Sequence, residues 1–120
     1  MMNNKQIGEI GESIASSYLT NLGYKIIAKN WHYSRNAEID IIAEEDKNTL
    51  VFVEVKTRTT NQFGHPFEAI DSKKIEKIHT AILGYLSSLE KKYKSYRIDG
   101  IAITGLKSPV IEHIKNISLS

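Results

Sequence analysis

The stretch Glu38–Lys56, EIDIIAEEDKNTLVFVEVK, decides how this chain is read. Two runs rich in Ile, Val and Phe flank a polar turn, which is the pattern of a β-hairpin. Yet Glu38, Asp40, Glu54 and Lys56 sit inside those runs, where a core-forming hairpin prefers apolar residues. Residues two apart on a strand share a face, so Glu38 and Asp40 point one way while Ile39 and Ile41 point the other. Pairing Asp40 with Glu54 also sets Glu38 opposite Lys56 and Ile42 opposite Phe52, and so brings all four charges onto one face. That register requires an odd-length loop within Glu45 to Thr49, and a slip by one residue would destroy it.

Outward from the hairpin, the elements follow from periodicity. From Asn4 to Leu22, the apolar residues Ile7, Ile10, Ile14, Ala15, Tyr18, Leu19 and Leu22 recur at helical spacing, and Gly23 stands as a stop. Gly8 and Gly11 lie inside this helix, at a cost of about 1 kcal/mol each relative to Ala. They suit either a close approach to the sheet or a ligand, or a frayed first turn. YKIIAKNWH after Gly23 reads as a first strand. Gly64 and Pro66 make Arg58 to Phe67 a loop directly after the hairpin. A second helix follows, capped by Asp71 or Ser72, with its stripe at Ile75, Ile78, Ile82, Tyr85, Leu86 and Leu89. YRIDGIAIT reads as a fourth strand and VIEHIKNIS as a short edge strand. The order helix, three-strand meander, helix, strand, edge strand predicts an α/β fold. Its mixed central sheet is flanked by helices, and the fourth strand runs parallel to the third.

A chain of 120 residues with 41% hydrophobic content suits a single domain over residues 1–120. No apolar run approaches the roughly 20 residues that span a bilayer, and the N-terminal segment lacks the regions of a signal peptide. A soluble, cytoplasmic protein that does not act at a membrane is expected. Cysteine is absent and the four His residues are scattered, so neither a disulfide framework nor a zinc site is expected. The net charge of +2 does not by itself announce a nucleic-acid binder, although Lys and Arg dominate the second half.

Two neighbouring carboxylates in a partly desolvated place either raise a pKa or recruit a cation. Mg²⁺ favours one or two carboxylates completed by water and phosphate oxygens, and Asp40 and Glu54 offer that set, with Mn²⁺ an alternative. The Val55 carbonyl could add an oxygen. Lys56 beside such an ion would orient a water or steady charge on a phosphate. Exposed cross-strand Glu–Lys pairs are also common without any function.

The motifs AEIDIIA (Ala37 to Ala43) and LVFVEVKTR (Leu50 to Arg58) resemble the signature of the YraN-type uncharacterised bacterial family. That family belongs to the restriction-endonuclease-like, or PD-(D/E)xK, nuclease superfamily. GESIASSYL, GYKII, FGHPFEAI with Lys74, and YRIDGIAI extend the resemblance over most of the chain. It implies a restriction-endonuclease-like core, with Asp40 and Glu54 as metal ligands and Lys56 as the catalytic lysine. The family is also similar to archaeal Holliday junction resolvases, which carry a further acid on the first helix, and Glu12 matches that position. A homodimer is an expectation of the same resemblance.

Arg58 and Lys74 could contact phosphates, since Lys and Arg contacts to the backbone dominate nucleic-acid affinity. The sequence thus points to a divalent-metal-dependent DNA endonuclease-like protein that hydrolyses phosphodiester bonds, branched or repair-intermediate DNA included. A non-cleaving nucleic-acid-binding module of the same fold, and a structural domain with simple charge pairs, stand beside it.

Overall fold

In a computed structural model that describes residues 1–60 and 71–117, the elements follow the expected order. They are α1 (Asn4–Asn21), β1 (Lys25–Ser34), β2 (Ala37–Asp46), β3 (Thr49–Arg58), α2 (Ser72–Ser87), β4 (Ser95–Thr104) and β5 (Val110–Ile114). FGHPFEAI, with His65, and most of the loop expected after β3 lie outside the described residues.

α1 begins at a capping box in which Asn3 and Gln6 exchange side-chain and backbone hydrogen bonds of 2.9 and 3.0 Å. It ends at Gly23, whose φ of 96° is open to glycine and strained for other residues. The Gly23 N–H donates to the Thr20 carbonyl and the Tyr24 N–H to that of Leu19. This reversal turns Tyr24 back onto Leu19 in the same apolar layer. α2 is capped by Asp71, whose side chain accepts the Lys74 N–H.

The five strands form one sheet in sequence order. Neighbours are antiparallel except β3 and β4, which run parallel and are connected through α2. α1 covers one face through Ala15 and Leu19, packed with Ile41, Val51, Val53 and Ile101. α2 covers the other through Ile75, Ile78, Ile82 and Tyr85, packed with Ile39, Ile42, Leu50 and Phe52. The central strands are therefore apolar on both faces, as strands in a three-layer sheet must be. The arrangement is consistent with a restriction-endonuclease-like core.

The hairpin register has Ile41 opposite Val53 and Ile42 opposite Phe52, in line with the pairing read from the sequence. The odd loop is built from a two-residue turn at Lys47 and Asn48 plus a bulge between Glu44 and Asp46. β2 also departs from strict alternation. Ile39 and Ile42, three residues apart, pack in the α2 layer, whereas Ile41 and Ala43 pack in the α1 layer. The phase of the strand thus changes at Asp40. On β1 the corresponding residue is Asn30, between the Lys29–Ile41 and Trp31–Ile39 pairs, and it holds a left-handed φ of 51°.

Candidate functional site

The phase change sits where β2 and β3 stop pairing by backbone alone. Beyond Ile41–Val53, the Val55 N–H donates to a side chain of β2, to Asp40 Oδ2 at 2.8 Å. The carboxyl of Asp40 is therefore fixed between the strands, 7% exposed. Glu54, 3% exposed, lies next to Val55 on β3. Both acids open into a cavity of about 650 Å³, together with Glu12, Glu38, Lys56 and Lys74. The four charges of the hairpin line one cavity, and one charged residue from each helix, Glu12 and Lys74, joins them.

Not every expected pairing is present. Glu38 does not face Lys56: its Cα partner is His32 on β1, and His32 Nε2 lies 3.2 Å from its carboxylate. Lys56 pairs within its own strand, 3.5 Å from Glu54 Oε1. The expected geometry extended the hairpin ladder past Ile41, whereas the β2–β3 ladder ends at Ile41–Val53, short of both Asp40–Glu54 and Glu38–Lys56, and only the pairing with β1 continues to Glu38. Lys74, read as a phosphate contact, approaches the same Glu54 oxygen at 3.2 Å. Arg58 lines the cavity and donates from Nη1 to the Thr57 carbonyl at 3.1 Å.

Glu12 reaches the cavity because α1 lies close against β3 at Gly11. A Cβ on Gly11 would stand 1.8 Å from Thr57 Oγ1 and 2.8 Å from Thr57 Cβ. Close approach, rather than fraying, accounts for this glycine. Gly8 is different, since a Cβ there would meet nothing within 4 Å. Asn30 was not singled out by its sequence, yet its side chain hydrogen-bonds Glu12. An Asn in mid-strand was the available signal, because Asn tolerates left-handed backbone better than most residues.

The electrostatics follow from burial among like charges. Burial pushes the Asp40 carboxyl up to about 8; Glu54 adds to the rise, and the Val55 N–H opposes it. Glu12 is also raised, first by burial and then by Glu38 and Glu54, against the hydrogen bond from Asn30. Burial disfavours the Lys74 ammonium, but Glu54 outweighs it and the group is held above its ordinary value. Among the described residues, no three Asp, Glu or His side chains gather as a ready metal cage. What the cavity offers is two buried carboxylates, Asp40 and Glu54, with the acid of Glu12 facing the same space. That set fits a hard cation such as Mg²⁺, which takes few protein carboxylates and keeps several waters. It also fits in charge, because a divalent ion would favour the ionised carboxylates that burial and the neighbouring acids oppose.

A second polar network ties the layers together without entering this cavity. Asp99 is fully buried and bonds Arg97 Nε at 2.9 Å, His113 Nε2 at 2.8 Å and the Asn116 N–H at 3.0 Å. Arg97 continues to Glu45 and to the Tyr24 hydroxyl, while His113 Nδ1 meets the Tyr18 hydroxyl at 3.1 Å. Burial opposes the charge on Asp99, but His113, Arg97 and Asn116 together hold its carboxyl below the usual range. Arg97 and Asp99 lie two apart on β4, and His113 joins them from β5.

A profile of the Uncharacterised protein family UPF0102 matches residues 11–103, from the helix glycine to the end of β4. This chain belongs to family UPF0102. A UPF0102 protein of Geobacter metallireducens is 43% identical over 116 residues, covering 96% of this chain and 93% of its own length. One of Sulfurihydrogenibium sp. is 42% identical over 115 residues, covering 96% of each chain. A third, from Chlorobaculum tepidum, is 43% identical over 116 residues, covering 91% of this chain and 88% of its own. The expected membership of an uncharacterised bacterial family is thereby shown. Among the described residues, no helix of this UPF0102 member is long and apolar enough to cross a membrane.

Proposed function

We propose that this UPF0102 protein is a divalent-metal-dependent DNA endonuclease-like protein that hydrolyses phosphodiester bonds. The observation that carries the proposal is the burial of Asp40 and Glu54 in one cavity with Lys56 and Lys74. Buried like charges are costly, and an exposed Glu–Lys pair would suffice if the only need were a stable hairpin.

In this reading Asp40 and Glu54 hold Mg²⁺ or Mn²⁺, and Glu12 supports the site from α1. The ion, when bound, supplies Lewis acidity toward a phosphate oxygen and makes water a stronger nucleophile. The chain's own residues do the rest. Val55 fixes the orientation of Asp40 through its N–H. Lys56, anchored beside Glu54, is placed to orient a water or to steady charge that grows on the phosphate. Arg58 and Lys74 supply positive charge at the rim for the nucleic-acid backbone. The resemblance to archaeal junction resolvases brings branched DNA into the substrate range and a homodimer into the assembly. A two-fold pair of sites would suit symmetric cleavage.

The test is cleavage of labelled four-way junction, flap, single-stranded and duplex DNA in Mg²⁺ or Mn²⁺, comparing the native protein with Asp40→Asn and Lys56→Ala. Metal-dependent cutting that both substitutions abolish is expected. If no substrate is cut, and all three proteins bind DNA alike without metal and in a salt-sensitive way, the protein is a nucleic-acid-binding module of the same fold.

A further inference from the structure

Glu54 Oε1 receives two ammonium groups, and they reach it by different routes. Lys56 lies two residues along the same strand at 3.5 Å, so β3 itself fixes its approach. Lys74 comes from the first turn of α2 and stands closer, at 3.2 Å. Its backbone is pinned, because the Lys74 N–H donates to Asp71 at 2.9 Å. Its side chain has more freedom: it is 32% exposed, and a flexible four-carbon stem carries the ammonium.

One ammonium balances one buried carboxylate. The second brings positive charge to the oxygen that the proposed metal would need, and two such cations so close repel each other. Resting on the metal-dependent reading, we infer that Lys74 is a built-in counter-ion, which occupies Glu54 in the metal-free protein and is released to a nucleic-acid phosphate when a divalent cation binds. Lys56 does not share this part, since its place beside Glu54 is set by the strand.

The consequence is conditional assembly. Metal alone must displace an ammonium and so binds weakly, while metal with DNA binds more tightly, because the displaced ammonium gains a phosphate partner. By linkage, metal must tighten DNA binding by the same factor. A protein built in this way takes up its metal mainly on its substrate.

The experiment is Mn²⁺ binding by the full chain, followed through the electron paramagnetic resonance signal of free Mn²⁺. Native protein, Lys74→Met and Lys74→Arg are compared, each with and without a short duplex, read while a gel shows the duplex intact. Lys74→Met removes the charge and keeps the length, and Lys74→Gln serves if the methionine variant does not fold. The expected result is Mn²⁺ binding about tenfold tighter or more for Lys74→Met without DNA, since one like charge has left the site. Lys74→Arg stays near native, and DNA tightens Mn²⁺ binding to the native protein far more than to Lys74→Met. Equal or weaker Mn²⁺ binding by Lys74→Met, with clear binding by the native protein, overturns the inference and leaves the metal site standing. If neither protein takes up Mn²⁺ even with DNA, the metal-dependent reading falls and the inference falls with it.

Discussion

Replacing Asp40 by Asn should make the metal-free protein more stable, and increasingly so as pH rises. An aspartate in an unfolded chain titrates near 3.9, whereas burial and Glu54 push Asp40 up to about 8. Between those two values the folded protein binds a proton that the unfolded chain has lost. Stability therefore falls as pH rises through this window, by about 1.4 kcal/mol for each unit. At pH 7 about three units have been crossed, a cost of roughly 4 kcal/mol that an uncharged side chain does not bear. Asp40→Asn also keeps an oxygen able to accept the Val55 N–H, so the 2.8 Å bond need not be lost. Urea unfolding of both proteins in the presence of a chelator at pH 5, 6, 7 and 8 measures the gap. The variant should gain little near pH 4 to 5 and roughly 4 kcal/mol at pH 7, equivalent to a rise in Tm on the order of 10 °C. A variant no more stable than native at pH 7, or a gain that does not grow with pH, would refute the reasoning.

Three further substitutions test the packing of α1 and the second polar network. Gly11→Ala should destabilise by about 1–3 kcal/mol, because the added carbon collides with Thr57 and β3 must shift. Gly8→Ala, in open space on the same helix, should stabilise by about 0.5–1 kcal/mol, and denaturant titration of the pair reads the contrast. Arg97 and Tyr24 hydrogen-bond Glu45 and bring its carboxyl down to about 2 from an ordinary value of 4.5. The stability it contributes is complete above pH 4.5 and is lost as pH falls toward 2. Glu45→Gln should therefore flatten that part of an acid-unfolding curve monitored by circular dichroism.

Much of this architecture was legible because the hairpin states its own pairing. Ile42 opposite Phe52 follows once Asp40 and Glu54 are set together, and the bulge at Glu45 supplies the odd connection. The helices were legible from their stripes, whereas Gly8 and Gly11 carried the same signal in the sequence and only the packing of Gly11 on Thr57 tells close approach from fraying. The limits lie where structure departs from local periodicity. Alternation by twos cannot foresee the change of phase at Asp40, opposite the left-handed Asn30, or the end of the β2–β3 ladder before Glu38, whose carboxylate meets His32 instead. Lys74 is 20 positions from Glu54, and only the packing of α2 onto the sheet brings their charges together. His113 was hidden for the same reason, since Asp99 and Tyr18 reach it from two other elements.

The bond from Val55 to Asp40 has a consequence of its own. An amide in a sheet interior normally reports on its neighbouring strand, but here one proton of β3 reports on a carboxyl group. In a nitrogen–proton correlation spectrum, the Val55 cross-peak is a built-in indicator of whatever Asp40 is doing. Its position will follow the charge on that oxygen through any titration. Its rate of exchange with deuterium will follow how firmly the carboxyl is held.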